Sequence, residues 1–527
     1  MKESSSYKWI VLGNIMIGTF MAVLDSTVVN TGLPVIMGTL GADINVAEWV
    51  LTGYMLSMAS ILPAAGWLSE RFGYKKIYFL SLLVFTAGSF MCGSSSTIEE
   101  LIFWRVIEGF GCGMLLPVGM AIVSDVFPPE QRGTALGFWS IASAASVSFG
   151  PAIGGYLVDY MDWNYIFYVN IPIGILALIV TAIVQREHVK GTGVPFDIPG
   201  FITSAIFLPV FMYGLSEVNS STNSMGWSSP VVLGAMWIAV VTFILFLYFE
   251  FTVKTPLINL RLFVDRDFAL SNLILFVFGI GMFGSTFLIP LYLQDNLGYS
   301  ALQAGMFFMP VGIIQGVASP LSGKLMQRIN PKVFIVSGIL LMALSFYMNY
   351  YLSFLTEKWY IMLSLYLRGL GMGLLFTPLL TLSLVNIRNS DMAQASSITN
   401  IVRQMGGSFG VAIFSHLLTQ RTAFHTQRYG EALNYTGDVY RQTLHSLSRF
   451  IEHTGGRTPD TAKEVAEMLI LKRIDLEGYI SAINDDFFIA FIVTLLCVIP
   501  VLFLRNKKVE NEAGRESRPA FVTGRSS

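Results

Sequence analysis

Ser148-Phe-Gly-Pro-Ala-Ile-Gly-Gly-Tyr-Leu157 returns 260 residues later as Ser408-Phe-Gly-Val-Ala-Ile-Phe-Ser-His-Leu417, identical at six of ten positions. Two shorter stretches echo it in order and spacing: Gly109-Phe-Gly-Cys-Gly113 against Gly369-Leu-Gly-Met-Gly373, and Gly66-x-Leu68 with Arg71 against Gly323-x-Leu325 with Arg328. Small residues recur in any bundle of membrane helices. That accounts for each echo singly, but not for their shared order, so the chain reads as two related halves.

The surrounding composition says what the halves are made of. Of 527 residues, 54% are hydrophobic and 13% charged, where a soluble globular chain carries about 25% charge. An ordinary cytosolic enzyme is excluded, and the apolar content suffices for roughly fourteen spans of about 20 residues. The net charge of −1 gives no surplus for nucleic acid. Cys92, Cys112 and Cys497 lie in apolar runs without ligand spacing, which excludes a zinc site and a disulfide framework. The run from Trp9 to Met37 is longer than a signal-peptide core and lacks a small-residue cleavage site, so it is expected to be a retained first span.

Apolar windows between Gly, Pro and charged punctuation predict spans over 9–37, 46–66, 77–94, 100–124, 134–158, 165–184, 197–216, 231–252, 268–293, 302–322, 333–353, 359–383, 396–418 and 485–504. With both termini inside, twenty-one Lys and Arg fall on the inner side against one, Lys358, in the short outer loops. The positive-inside rule thus predicts cytoplasmic termini. The repeat pairs spans 1–6 with spans 9–14 and leaves 7 and 8 as an insertion. The expected fold is an all-α integral membrane protein of fourteen transmembrane helices, 6 + 2 + 6, with pseudo-two-fold halves. Its units are 1–190, the inserted pair 191–256, and 257–510, followed by a disordered cytoplasmic tail 511–527. The polar outer segment 419–484 is expected to hold one amphipathic helix over 461–480. Repeated halves around a central site are the architecture of secondary transporters.

Charge at mid-membrane costs several kcal/mol, so charged residues there are paired or functional. Asp25, Arg105, Glu108, Arg368 and Arg403 are the deep ones. Counting about 1.5 Å per residue places Asp25, Arg105 and Glu108 roughly 16, 8 and 12 Å from the outer ends of their spans, one depth zone. Arg105 and Glu108, three residues apart, can also pair locally. Apolar surroundings favour a neutral carboxyl and a nearby guanidinium favours a carboxylate. Movement of Arg105 relative to Asp25 would therefore load and release a proton.

Gly66-Trp-Leu-Ser-Glu-Arg-Phe-Gly-Tyr-Lys-Lys76 joins spans 2 and 3. It resembles motif A of the major facilitator superfamily, with Glu70 for the usual Asp and Tyr74 for a usual Arg. The resemblance implies a conformational latch of Gly66, Glu70, Arg71, Gly73 and Lys75, with Arg403 as the cationic partner in the other half. Leu24-Asp-Ser-Thr-Val-Val-Asn30 is similar to span 1 of the fourteen-span EmrB/QacA drug:proton antiporters, and Arg105-Val-Ile-Glu-Gly109 to motif B, whose Arg is linked to proton transfer. Gly150-Pro-Ala-Ile-Gly-Gly155 resembles the antiporter motif C, through Gly150, Pro151, Gly154 and Gly155. Trp163-Asn-Tyr-Ile-Phe-Tyr-Val-Asn-Ile-Pro-Ile-Gly174 and Pro256-Leu-Ile-Asn-Leu-Arg-Leu-Phe263 match the EmrB branch as well.

The resemblance implies a proton-coupled multidrug efflux transporter of the bacterial inner membrane, conferring drug resistance. It would export small hydrophobic or cationic substrates, with Asp25, Arg105 and Glu108 in proton coupling and the proton gradient in place of a cofactor. It also implies a periplasmic adaptor and an outer-membrane channel as partners. The alternative on the same scaffold is a dedicated exporter of a native metabolite or lipid. An enzyme is disfavoured: His416 is the one histidine in a span, reads as a core or cavity residue, and has no metal spacing beside it. ATP-driven transport lacks a phosphate loop. A receptor would need a larger soluble domain than 419–484.

Overall fold

The computed structural model describes residues 5–42, 44–187, 195–218, 223, 225–253, 256–286, 288–326, 328–388, 391–432, 437–455 and 458–505. Among these every regular element is helical. The first half is α1 (Ser5–Leu40), α2 (Ile44–Phe72), α3 (Tyr74–Gly93), α4 (Ile98–Val126), α5 (Pro129–Tyr160), and a sixth span broken into α6 (Tyr165–Tyr168) and α7 (Asn170–Ile183). The inserted pair is α8 (Ile198–Glu217) and α9 (Pro230–Thr252). The second half is α10 (Arg266–Thr286) with α11 (Leu288–Leu291), α12 (Ala301–Leu325), α13 (Pro331–Asn349), α14 (Lys358–Leu384), α15 (Met392–Ala432), and α17 (Pro459–Leu496) with α18 (Val498–Phe503). Between α15 and α17 lies α16 (Asp438–Gly455). Among the described residues, eleven helices are long and apolar enough to cross a membrane. The remaining expected spans, 134–158, 268–293 and 396–418, fall on α5, α10 with α11, and α15. All fourteen are therefore helical.

Local chemistry sets the boundaries. Thr97 caps α4 by accepting from Glu100 N, and Ser300 with Gln303 forms a capping box on α12. Proline opens α5, α9, α13 and α17, where no intrahelical donor is lost. Gly73, at φ 99°, breaks α2 from α3 with a backbone that a side chain would strain.

The glycine echoes show why the halves are alike. In α4 a Cβ on Gly109 or Gly113 would strike backbone of α2 (Tyr54 O at 2.5 Å, Met58 O at 2.5 Å), and one on Gly111 would strike Phe85 N of α3 at 2.6 Å. In α14 Gly369 and Gly373 meet α12 in the same way, at Val311 O and Gln315 O, and Gly371 meets Gly338 O of α13. Each half thus packs its fourth span between its second and third through one Gly-x-Gly-x-Gly stretch, the outer glycines facing the second span and the middle one the third.

The halves meet along two related seams. Gly66 near the end of α2 lies against Ala393 and Gln394 at the start of α15, and Gly323 near the end of α12 lies against Gly133 and Thr134 at the start of α5. The α5–α12 seam continues through Gly137 on Pro320 and Gly316 on Ile141 to Gly155 facing Leu302. From the insertion, α8 packs on both α2 and α15, stacking Tyr213 on Trp49 and setting Phe211 against Phe409.

One expectation changes. The outer segment holds more than one helix over 461–480: α15 runs on to Ala432, α16 is separate, and 461–480 is continuous with the last span. At 41 and 38 residues, α15 and α17 exceed the roughly 20 that a bilayer core needs. They project as a pair, joined by His425 to Asp485 at 2.9 Å and Tyr429 to Ser481 at 2.8 Å. Continuity of helical hydrogen bonding made a separate outer domain unnecessary. The tail 511–527 and the boundary at 190/191 lie outside the described residues.

Gly323→Val places a side chain where a Cβ would already sit 2.2 Å from Gly133 O, while a Cβ on Gly234 meets nothing within 4 Å. Overpacking costs about 1–3 kcal/mol. Gly323→Val is expected to lower the thermal midpoint of the purified protein, and Gly234→Val to leave it unchanged, by tryptophan-fluorescence melting.

Candidate functional site

Five helices of the first half converge on one buried polar group. Arg105 of α4 places Nη1 2.6 Å from Asp25 Oδ2 of α1 and 2.7 Å from Glu108 Oε2, with all three side chains sealed from solvent. Its Nε donates to Val50 O of α2 at 3.2 Å, and the guanidinium lies 3.9 Å from the centre of the Tyr54 ring. Asn170 of α7 donates to Asp25 Oδ1 at 3.2 Å and to Ser89 Oγ of α3 at 3.0 Å. The depth reckoning along the helices therefore located a real cluster, and the local Arg105–Glu108 pair and the distant Asp25–Arg105 pair coexist.

The carboxylates are not equivalent. Asp25 has both oxygens engaged, one by Arg105 and one by Asn170. Glu108 Oε2 accepts from Arg105 and from the Cys92 thiol, whereas Oε1 is buried with no hydrogen-bond partner among the described residues. Two buried negative charges on one positive charge leave an uncompensated charge in an apolar interior, which is costly unless a proton neutralises it.

Beyond Tyr54 lies a cavity of about 480 Å³. Tyr54 and Cys112 form part of its wall, and the Tyr54 ring also packs on the Arg105 guanidinium. Its walls come from α1, α2, α4 and α5 of the first half, α10, α12, α14 and α15 of the second, and Met212, Leu215 and Ser216 of inserted α8. Five methionines, Met55, Met58, Met212, Met282 and Met372, line it; such side chains adapt to ligands of varied shape. Arg368 and Arg403 also lie in the wall. His416 packs instead on Trp227 of the loop before α9.

At the end of the bundle where α1 begins and α18 ends, the halves are shut. Ser397 donates to Leu62 O at 2.6 Å, Asn400 reaches Met120 Sδ at 3.6 Å, and Gln394 donates to Glu70 Oε2 at 3.3 Å. This corrects the expected latch. Arg403 sits nine residues beyond Gln394 in α15, bonded to Asn400 Oδ1 at 2.9 Å and over the Phe376 ring. What Glu70 meets in the other half is the neutral Gln394 side chain in the first turn of α15. Gly66 permits that approach. Lys75 serves its own half, donating to Ala182 O at 2.7 Å, and its backbone N–H donates to Glu187; Arg71 is exposed. In motif C, Gly150 lies against Thr27 of α1 and Gly155 against Leu302 of α12, with Pro151 and Gly154 in the unbroken helix α5.

Sequence reasoning missed Asn170 and Tyr54, and also Asp486, which is fully buried in α17. Asn170 is an amide inside an apolar span, the same signal that picked out Asp25. Tyr54 carries no such mark.

Two repeated six-helix halves around an apolar cavity, in a chain of fourteen spans, define a multi-pass membrane transporter. The model of the Major Facilitator Superfamily matches residues 15–411, and the chain belongs to that family. It is 29% identical over 494 residues to the multidrug export protein EmrB of Haemophilus influenzae, covering 93% of this chain and 94% of that one. It is 32% identical to the multidrug transporter protein MdtP of Bacillus subtilis over 419 residues, 79% of this chain and 76% of the relative. Among solved structures, the proton:xylose symporter XylE superposes with a TM-score of 0.61 at 14% identity, over 96% of this chain and 98% of XylE, a likeness of fold.

Glu70→Gln weakens the charge-assisted hydrogen bond that Gln394 makes to it across the shut face, worth about 1.5 kcal/mol or roughly tenfold in the open–closed equilibrium. Maleimide labelling of a cysteine at Ser397 is expected to quicken in Glu70→Gln and to stay unchanged in Arg403→Gln. The reverse pattern would restore Arg403 as the latch partner.

Proposed function

We propose that this transporter is a proton-coupled exporter of amphipathic or hydrophobic toxic compounds across the bacterial cytoplasmic membrane, with both termini in the cytoplasm. The observation that carries the reading is the sealed Asp25–Arg105–Glu108 group standing one ring, Tyr54, away from the cavity. One guanidinium neutralises one carboxylate, and the second is neutral only with a proton bound. Substrate entering the cavity displaces Tyr54, hydrates the group and releases that proton. Reprotonation from the outer side, with the closed contacts exchanged between the two faces, resets the cycle.

Three further features support this reading. The twenty-one inner positive residues orient the termini. With that orientation the face shut by Glu70, Ser397 and Asn400 is cytoplasmic, and the cavity belongs to an outward-facing state. The units 1–190 and 257–510 are the rocking halves, with 191–256 held against α2 and α15. The relatives EmrB and MdtP are named for multidrug export. In a two-membrane envelope, the projecting helices of 419–484 would meet a periplasmic adaptor leading to an outer-membrane channel. The proton gradient supplies the energy, and no cofactor is needed.

The test is substrate-driven proton release in proteoliposomes with a pH-sensitive dye. Wild type is expected to release protons on substrate addition, and Asp25→Asn and Glu108→Gln each to abolish the release while retaining substrate binding. Release persisting in both variants would place the coupling group elsewhere.

A further inference from the structure

We infer that Asp486 is a second proton-binding site, set in the half opposite the Asp25–Arg105–Glu108 group and holding a proton of its own at neutral pH. The site goes beyond the exporter reading and does not depend on it.

The first observation is burial without a partner. Ile483, Asp486, Phe487, Ala490 and Thr494 form a buried stripe of α17 at helical spacing, so Asp486 holds a position that the helix period reserves for an apolar residue. Its side chain is sealed from solvent, and neither carboxyl oxygen has a hydrogen-bond partner among the described residues. A carboxylate there would have lost its water and gained no donor, and the neutral acid costs far less.

The second observation is which charges surround it. Those that act on Asp486 are Asp485, its neighbour in α17, and Arg421 of α15. Arg421 is already engaged: its Nε lies 3.7 Å from Asp485 Oδ2, which also pairs with His425 at 2.9 Å. Asp485 therefore takes up the positive charge on this side and sets a negative one beside Asp486, which disfavours a second. From α13 come Tyr347 and Tyr350, whose rings lie beside Phe491 and Phe488 of α17. Among the described residues, α10 and α16, which also pack on α17, bring no charge that acts on Asp486.

The third observation comes from the repeat. Asn349 of α13 stands 260 residues after Ser89 of α3. In the first half, Ser89 Oγ accepts from Asn170 of the last span at 3.0 Å. In the second half, Phe346 lies beside Phe487, Tyr350 beside Phe488, and Asn484 donates to Leu352 O at 2.9 Å. That register brings Asn349 level with Asp486 of the last span. The neutral amide of Asn170 is thus matched by a carboxyl, and the protonated carboxyl is the form that equals an amide in charge and approximates it in shape. Asn349 is itself buried, with neither amide atom partnered among the described residues. The place offers a polar neighbour and no countercharge.

The test is infrared spectroscopy of the neutral carboxylic acid carbonyl, on purified protein in lipid nanodiscs at neutral pH without substrate. Asp486→Asn is expected to lose one group's intensity from that band, and Asp486→Leu the same, with monodisperse chromatography confirming folding. The loss is expected to add to that of Asp25→Asn, so that the double variant Asp25→Asn/Asp486→Asn loses two groups. An intact band in Asp486→Asn and Asp486→Leu would mean that Asp486 is ionised, and would overturn the assignment. A double variant losing only one group would also overturn it, because the two sites would then share one proton. Failure of substrate-driven proton release in proteoliposomes would sink the exporter reading alone, since these spectra involve neither substrate nor transport.

Discussion

One guanidinium shared by two buried carboxylates sets the arrangement of the first half. Removing one partner of a buried ion pair costs about 3–5 kcal/mol, because the other charge is left stranded. Asp25, Arg105 and Glu108 must therefore stay together wherever the helices move. That requirement fixes α1 against α4, draws Val50 O and Tyr54 of α2 onto the guanidinium, and brings Asn170 of α7 onto Asp25. The glycines of α4 allow this by bringing α2 and α3 into backbone contact with the helix that carries Arg105. Electrostatics and packing thus impose one geometry.

The second half repeats the packing and departs in the chemistry. Its Gly369, Gly371 and Gly373 do for α14 what Gly109, Gly111 and Gly113 do for α4. Yet its cavity-facing charges are Arg368 and Arg403. The result is a division between a sealed acidic group in one half and guanidiniums in the cavity wall in the other, with Tyr54 in contact with Arg105 and part of that wall. On the proposed reading, substrate and proton influence one another through that ring.

Much of this was legible in the sequence because membrane burial leaves few polar residues to choose from. The repeat fixed the pairing of halves, and its glycines proved to be the contact points. Asp25, Arg105 and Glu108 stood out by depth alone. The latch was misread because motif A supplies a carboxylate and asks for a positive partner. Arg403 is a visible positive charge, whereas Gln394, the side chain that donates to Glu70, is a neutral amide that a search for a cation passes over. The helices of 419–484 were under-read because they extend the spans beside them, so no break in pattern separates membrane from outer segment. Tyr54 was invisible for a simpler reason: a tyrosine in an apolar span looks the same whether it faces lipid, core or a guanidinium.

The central claim is that the Asp25–Arg105–Glu108 group holds one proton across two carboxylates. Infrared spectroscopy of the neutral carboxylic acid carbonyl reads this directly. Wild type at neutral pH is predicted to show a neutral-acid band that falls by one group's intensity in Asp25→Asn and equally in Glu108→Gln, because the carboxylate that remains pairs with Arg105 and ionises. A band of unchanged intensity in both variants would mean that the group carries no proton, and the account would be wrong at its centre.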